Sequence, residues 1–237
     1  MSGVKPPHIV IAGAGLIGCF CGGLWSAAGY PVTLLGRRRV LAPITNAGLA
    51  VTDFAGLNKR VKPGQVQCSE DPGVLTGADL VIVAVKTSAT AAMGQQIALH
   101  APPKAPVFSF QNGMGNATLL QQMLPGRDVR AAMVPFNVVT PDMHLPFSED
   151  ASLQETSPQE TRPQDASRQK DDTEGAALSQ SDRQGTSLTP AGFHRASSGD
   201  IVIAEGPGHW GRRLSVPGLA VVESSDISAV QWGKLLI

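Results

Sequence analysis

The chain has 237 residues and equal numbers of basic and acidic side chains, 19 of each, so its formal charge at neutral pH is zero. A balanced charge argues against a nucleic-acid-binding surface, and 42% hydrophobic residues suffice for a real core in one or two domains. No apolar run is long enough to span a bilayer and the N-terminal residues hold no signal-peptide core, so a cytoplasmic protein with neither a membrane nor a nucleic-acid partner is expected.

In chain order, residues 8–12 predict a strand, 15–29 a helix and 31–35 a second strand. The stretch 48–68 is less periodic, with room for one or two short extra strands. The β-branched run 78–85 predicts a buried strand, followed by a helix over 89–100, a strand over 105–110, a helix over 114–124 and a strand over 129–134. Such alternation implies parallel strands joined by right-handed crossovers, an α/β fold with a Rossmann-type, doubly wound and mostly parallel sheet.

Composition changes near Phe147, where Ser, Gln, Asp, Glu, Thr, Arg and Pro replace large apolar residues. Such a stretch cannot bury enough surface to offset chain entropy, which predicts disorder over 147–190. The expected organisation is therefore 1–146 as the first part of the Rossmann domain, 147–190 as an insertion, 191–224 as the end of that domain and 225–237 as the start of an interdomain helix. Residues 136–139 and 201–204 read as two arms of a strand pair whose connection the insertion lengthens, at a cost that grows slowly with loop length. His194 is expected in a turn ahead of the strand at 200–204; another strand follows at 219–223, and Ser224 or Ser225 is expected to cap a helix from about Asp226. The chain ends on Leu235-Leu236-Ile237 without a stop signal, so a further domain packing on that helix is expected and absent from the sequence. Cys19, Cys21 and Cys68 form no C-x-x-C pair and are expected to be free, buried thiols. The five histidines show no paired ligand spacing, so no metal is expected.

The most informative motif is Gly13-Ala14-Gly15-Leu16-Ile17-Gly18, placed directly after a strand and opening a helix. In that context Gly13 permits the tight turn, Gly15 lets backbone approach a pyrophosphate and Gly18 lets the helix pack on the strand, while the helix N-terminus faces the phosphates. An NAD-preferring site usually ends its second strand with an acid for the ribose 2′-hydroxyl. Here the strand runs into Gly36-Arg37-Arg38-Arg39. Guanidinium groups match a 2′-phosphate in charge and geometry, so Arg37, with Arg38 next, points to NADP(H).

With that turn, the strand 81–85 closed by Lys86-Thr87, the block Gln111-Asn112-Gly113-Met114-Gly115 and the terminal Trp232-Gly233-Lys234-Leu235-Leu236, the sequence resembles the ketopantoate reductase (2-dehydropantoate 2-reductase) family over all of its ordered length. The resemblance implies an N-terminal Rossmann domain, an all-helical C-terminal domain and a cleft between them. It also implies reduction of ketopantoate, a small 2-oxo acid, to pantoate with NADPH, on the route to pantothenate and coenzyme A. Asn112 would contact cofactor and substrate near the nicotinamide, Lys86 would sit by the cofactor and Lys234 would be the catalytic lysine. The chemistry fits, since a positioned ammonium stabilises the charge that hydride transfer leaves on a ketone oxygen and donates the proton. Without the helical domain, Lys234 is expected in a frayed last turn, lacking the packing that holds a catalytic group. The chain as it stands is then expected to bind NADP(H) and to turn over poorly. Two rivals stay open: an oxidoreductase acting on another 2-oxo acid or an imine, and a non-catalytic NADP(H)-sensing protein. The oligomeric state, a homodimer included, is also left open.

Overall fold

The computed structural model describes residues 5–141 and 189–236. It begins with β1 (Ile9–Ala12), whose four side chains are all buried. Ile9 and Ile11 face one hydrophobic core while Val10 and Ala12 face another, and this two-sided burial is why the strand is an unbroken apolar run. Next come α1 (Leu16–Ala27), β2 (Val32–Leu35), α2 (Arg38–Ala47), β3 (Leu49–Asp53), β4 (Asn58–Val61) and β5 (Gln67–Ser69). A 3₁₀ turn at Pro72–Gly77 leads to β6 (Leu80–Val83), and a shorter one at Thr87–Ala89 leads to α3 (Thr90–His100). Then follow β7 (Val107–Ser109), α4 (Asn116–Met123), β8 (Val129–Met133) and the short β9 (Val138–Val139). After the insertion come β10 (Ala191–Arg195), β11 (Ile201–Ala204), α5 (Trp210–Leu214), β12 (Val221–Ser224) and α6 (Ile227–Leu235).

The main sheet has eight strands in the order β12-β11-β8-β7-β6-β1-β2-β5. All neighbours are parallel except β8 and β11. The chain leaves β1 outward through β2 and later returns to its other side through β6, β7 and β8. This is the doubly wound arrangement, and its order reverses between β1 and β6, where ligands bind in open α/β sheets.

Several expectations need correction. Residues 136–139 and 201–204 do not pair: β9 lies antiparallel to β10, and β11 lies antiparallel to β8. The connection that carries the insertion therefore joins β9 to β10 in a second sheet of order β4-β3-β10-β9. Both segments are short β-branched runs, and nothing in such a run names its partner; strand choice is made by what each face buries. The region 48–68 holds three strands, of which β5 joins the main sheet and β3 and β4 the smaller one. His194 lies within β10, its Nδ1 2.9 Å from Thr52 Oγ1 on β3. Asp226, not Ser224 or Ser225, caps α6 by accepting from the Ala229 N–H at 2.9 Å. Cys19 and Cys21 are buried free thiols, whereas Cys68 is half-buried. The expected disordered insertion, except for its last two residues, lies outside the described residues.

α1 is clasped between the two sheets. A Cβ added at Gly22 would lie 2.7 Å from Ile11 Cδ1 of the main sheet, and one at Gly23 would lie 2.5 Å from both Leu49 Cδ1 and Val51 Cγ2 of the smaller one. Glycine in a helix interior costs about 1 kcal/mol relative to alanine, and here close approach on both sides offsets that. Gly23→Val should therefore destabilise the fold by about 1–3 kcal/mol through overpacking, read as a lower urea midpoint with an unchanged slope.

Candidate cofactor and active site

Gly13 adopts φ +117°, and a Cβ there would lie 2.6 Å from the backbone of Ala84 and Val85, just past β6. A Cβ at Gly18 would lie 2.3 Å from the Gly13 carbonyl oxygen. The protein's own packing demands both glycines. Gly15 differs: its backbone is extended (φ −87°), and a Cβ would come no closer than 3.8 Å to the Ala84 oxygen. The protein's own packing therefore does not require a bare backbone there. Ala14 is buried, Leu16 is 42% exposed at the first helical position, and Ile17 is partly buried against the core. The Gly13 and Ala14 N–H groups donate to Leu35 O, at 2.9 and 3.1 Å. α1 has no side-chain cap and no acid in its first turn, which leaves its leading N–H groups and positive dipole end to an anion. These features fit a dinucleotide pyrophosphate.

The turn after β2 touches this loop directly, since a Cβ at Gly36 would lie 2.5 Å from Ala14 Cβ. Arg37, the next residue, is the N-cap of α2, and Arg38 and Arg39 form its first turn; all three are exposed. The arginines thus begin a helix that the sequence hid, because Pro43 sits inside it. Glu70, just past β5, also reaches this spot, its Oε1 accepting from the Arg38 N–H at 2.8 Å. No linear motif announces that acid; parallel pairing of β5 with β2 brings it there. Lys86 is exposed and precedes the 3₁₀ turn after β6, beside the Gly13 loop at the reversal point.

Lys234 and Asn112 meet. The Lys234 Nζ donates to Asn112 Oδ1 at 2.8 Å and to Val134 O at 2.6 Å. Both line a cleft of about 280 Å³ with Gly113, Met114, Val134 and Gln231. Lys234 does lie in the last turn of α6, yet it is not loose: two hydrogen bonds, in place of apolar packing, hold its ammonium. Gln231, one turn earlier on the same helix face, donates from Nε2 to Ala132 O at 3.0 Å. α6 has no buried residue, so these side-chain bonds to the β8 region carry much of its attachment. Gln231 was legible only as a neighbour at i−3 of Lys234. Trp232, Leu235 and Leu236 are exposed by 57%, 57% and 84%.

A glycine turn at the reversal point, with amide and ammonium groups at the ends of neighbouring strands, defines the Rossmann class of NAD(P)(H)-binding domains. The chain belongs to the ketopantoate reductase PanE/ApbA family, whose model matches residues 9–147. It is similar to a 2-dehydropantoate 2-reductase of Halobacterium salinarum, 34% identical over 127 residues, which are 52% of this chain and 39% of that protein. Among solved structures it resembles a PanE/ApbA family ketopantoate reductase from Ralstonia eutropha, with TM-score 0.68, 23% identity, and coverage of 96% of this chain and 60% of the other. It also resembles D-mandelate dehydrogenase in a ternary structure with NADH and anilino(oxo)acetate, with TM-score 0.59, 17% identity, and coverage of 96% and 60%. The chain thus spans about two fifths of that curated relative. Among the described residues no helix is long and apolar enough to cross a membrane.

Partial burial disfavours the Lys234 ammonium and lowers its pKa below the ordinary lysine value of 10.5. Between the lowered value and 10.5 the unfolded chain binds more protons than the folded one, so this group makes stability rise with pH across that window. Competitive acetylation read by mass spectrometry should show Lys234 reacting at lower pH in the folded chain than in the denatured one; superimposable profiles would refute the shift.

Proposed function

We propose that the chain carries the NADP(H) site and the catalytic lysine of an NADPH-dependent reductase that converts ketopantoate (2-dehydropantoate) to pantoate, on the route to pantothenate and coenzyme A. The observation that carries this reading is the Lys234–Asn112 contact, made past the ends of β7 and β8 by residues 122 positions apart in sequence. Family membership supports it.

The residues divide the work by chemical type. The backbone from Gly13 through Gly18 holds the pyrophosphate at the start of α1. Arg37, with Arg38 beside it, takes the 2′-phosphate; three arginines against Glu70 leave the spot net positive. Lys86 adds positive charge at the reversal point. The nicotinamide supplies hydride when bound. An ammonium has three donors, and Lys234 uses two on Asn112 Oδ1 and Val134 O. The third N–H is directed to the ketone oxygen, where it stabilises developing negative charge and then gives up the proton. Asn112, neutral, orients the ammonium without adding charge that would compete with a carboxylate substrate.

Two measurements test this. In fluorescence titrations Arg37→Ala should weaken NADPH by about 1.5–3 kcal/mol, as for hydrogen bonds to charged groups, and leave NADH nearly unchanged; Glu70→Gln should favour NADPH. Equal losses for both cofactors with Arg37→Ala would remove the 2′-phosphate assignment. In a single-turnover experiment with the chain in excess over ketopantoate, labelled hydride from NADPH should appear in pantoate with the natural chain and not with Lys234→Ala. Label in pantoate at the level of the Lys234→Ala control would overturn the reductase reading.

A further inference from the structure

Behind the cleft, four polar side chains are almost fully buried: Ser109, Gln111, Thr90 and Asn116 are exposed by 3%, 7%, 0% and 4%. They form a continuous hydrogen-bonded chain. Ser109 Oγ donates to Gln111 Oε1 at 3.0 Å, Gln111 Nε2 donates to Thr90 Oγ1 at 2.6 Å, and Thr90 Oγ1 donates to Asn116 Oδ1 at 3.1 Å. Each amide also grips backbone. Gln111 Nε2 donates to Val85 O at 3.1 Å, and Asn116 Nδ2 donates to Asn112 O at 3.0 Å and to Thr87 Oγ1 at 3.3 Å. A carbonyl only accepts, so these contacts fix which end of each amide is nitrogen. A satisfied buried network of this kind is rigid, and losing one member leaves its neighbours unpaired in low dielectric.

The anchoring points lie next to Lys86 and Asn112. Val85 and Thr87 flank Lys86, while Gln111 precedes Asn112 and Asn116 holds its carbonyl. The network therefore spans the loop after β6 and the loop after β7. Backbone bonds tie the first residue of each loop, Ala84 N–H to Ala12 O and Phe110 N–H to Val83 O, both at 2.8 Å; beyond those residues the hydrogen bonds that join the two loops are the ones made by these amides and Thr90. We propose that Gln111, Thr90 and Asn116 are positioning residues that set the spacing of Lys86 and Asn112 across the cofactor crevice; this rests on the NADPH-binding reading above. The three act through the backbone of the two loops. An apolar filling of the same volume would pack the space and leave the loops free to slide.

Thr90→Val removes the central hydroxyl at nearly constant shape, and Thr90→Ser restores it. Fluorescence titration of the 237-residue chain with NADPH should show T90V weakened about tenfold, the worth of one or two hydrogen bonds, and T90S within about twofold of the natural chain. Lys86→Ala separates positioning from simple destabilisation. Its effect on NADPH affinity should shrink in the T90V background, because a displaced Lys86 has less to lose. Thermal melts confirm that each variant is folded; should T90V melt below the titration temperature, Gln111→Met keeps the length and removes both donor contacts. Natural affinity in a folded T90V chain, or effects of T90V and K86A that simply multiply, would overturn the positioning role and leave the cofactor reading intact. No NADPH affinity in the natural chain would overturn both.

Discussion

The site depends on one close approach, that of the Gly13 backbone to Ala84 and Val85. With a hypothetical Cβ only 2.6 Å from those atoms, the ends of β1 and β6 touch at the place where strand order reverses. Because they touch, the uncapped start of α1 and the loop carrying Lys86 face the same crevice. Gly18 then lets α1 settle on the turn, and Gly22 and Gly23 let it settle between two sheets. A helix held that rigidly presents its N–H groups in a fixed direction, and preorganised donors stabilise an anion without a cost of reorganisation at the moment of binding.

Around that frame the ordering of the site is polar. Lys234 stands on a helix with no buried residue, and what fixes it is a pair of neutral oxygens at hydrogen-bond distance. Those acceptors favour the ammonium, while partial burial opposes it; burial decides the direction of its pKa. A lysine in that balance parts with its proton more readily than a solvated one. Gln231 applies the same device one turn earlier. The buried amides behind Asn112 do likewise for the loops. Directional bonds suit this purpose better than apolar contacts, which tolerate sliding at little cost.

Charge at the far end of the crevice is set by a small cluster. Three arginines follow β2, and Glu70 arrives from β5 to meet the Arg38 N–H. The carboxylate satisfies an orphan donor at the start of α2 and favours that helix end. It also trims the local positive field of the three arginines.

The sequence by itself determined the strand–helix alternation, the parallel main sheet and the glycine turn, because each is written in local terms: apolar runs buried on two faces, helix periodicity, and glycines whose roles follow from spacing. It also determined Lys234, Asn112 and Lys86 as candidates, through short blocks resembling those of a known family. Tertiary structure alone decided which strands pair. β9 chose β10 and β11 chose β8, so the insertion connects two strands of a second sheet that no periodicity announces. Helix α2, with Pro43 inside it, and the acid at position 70 were likewise hidden. The Lys234–Asn112 contact joins residues 122 apart, and the amide network joins two loops whose polar residues look like ordinary turn formers. Local propensity fixes what an element is; which surfaces meet is settled by burial and hydrogen-bond satisfaction across the whole chain, and a one-dimensional pattern carries neither.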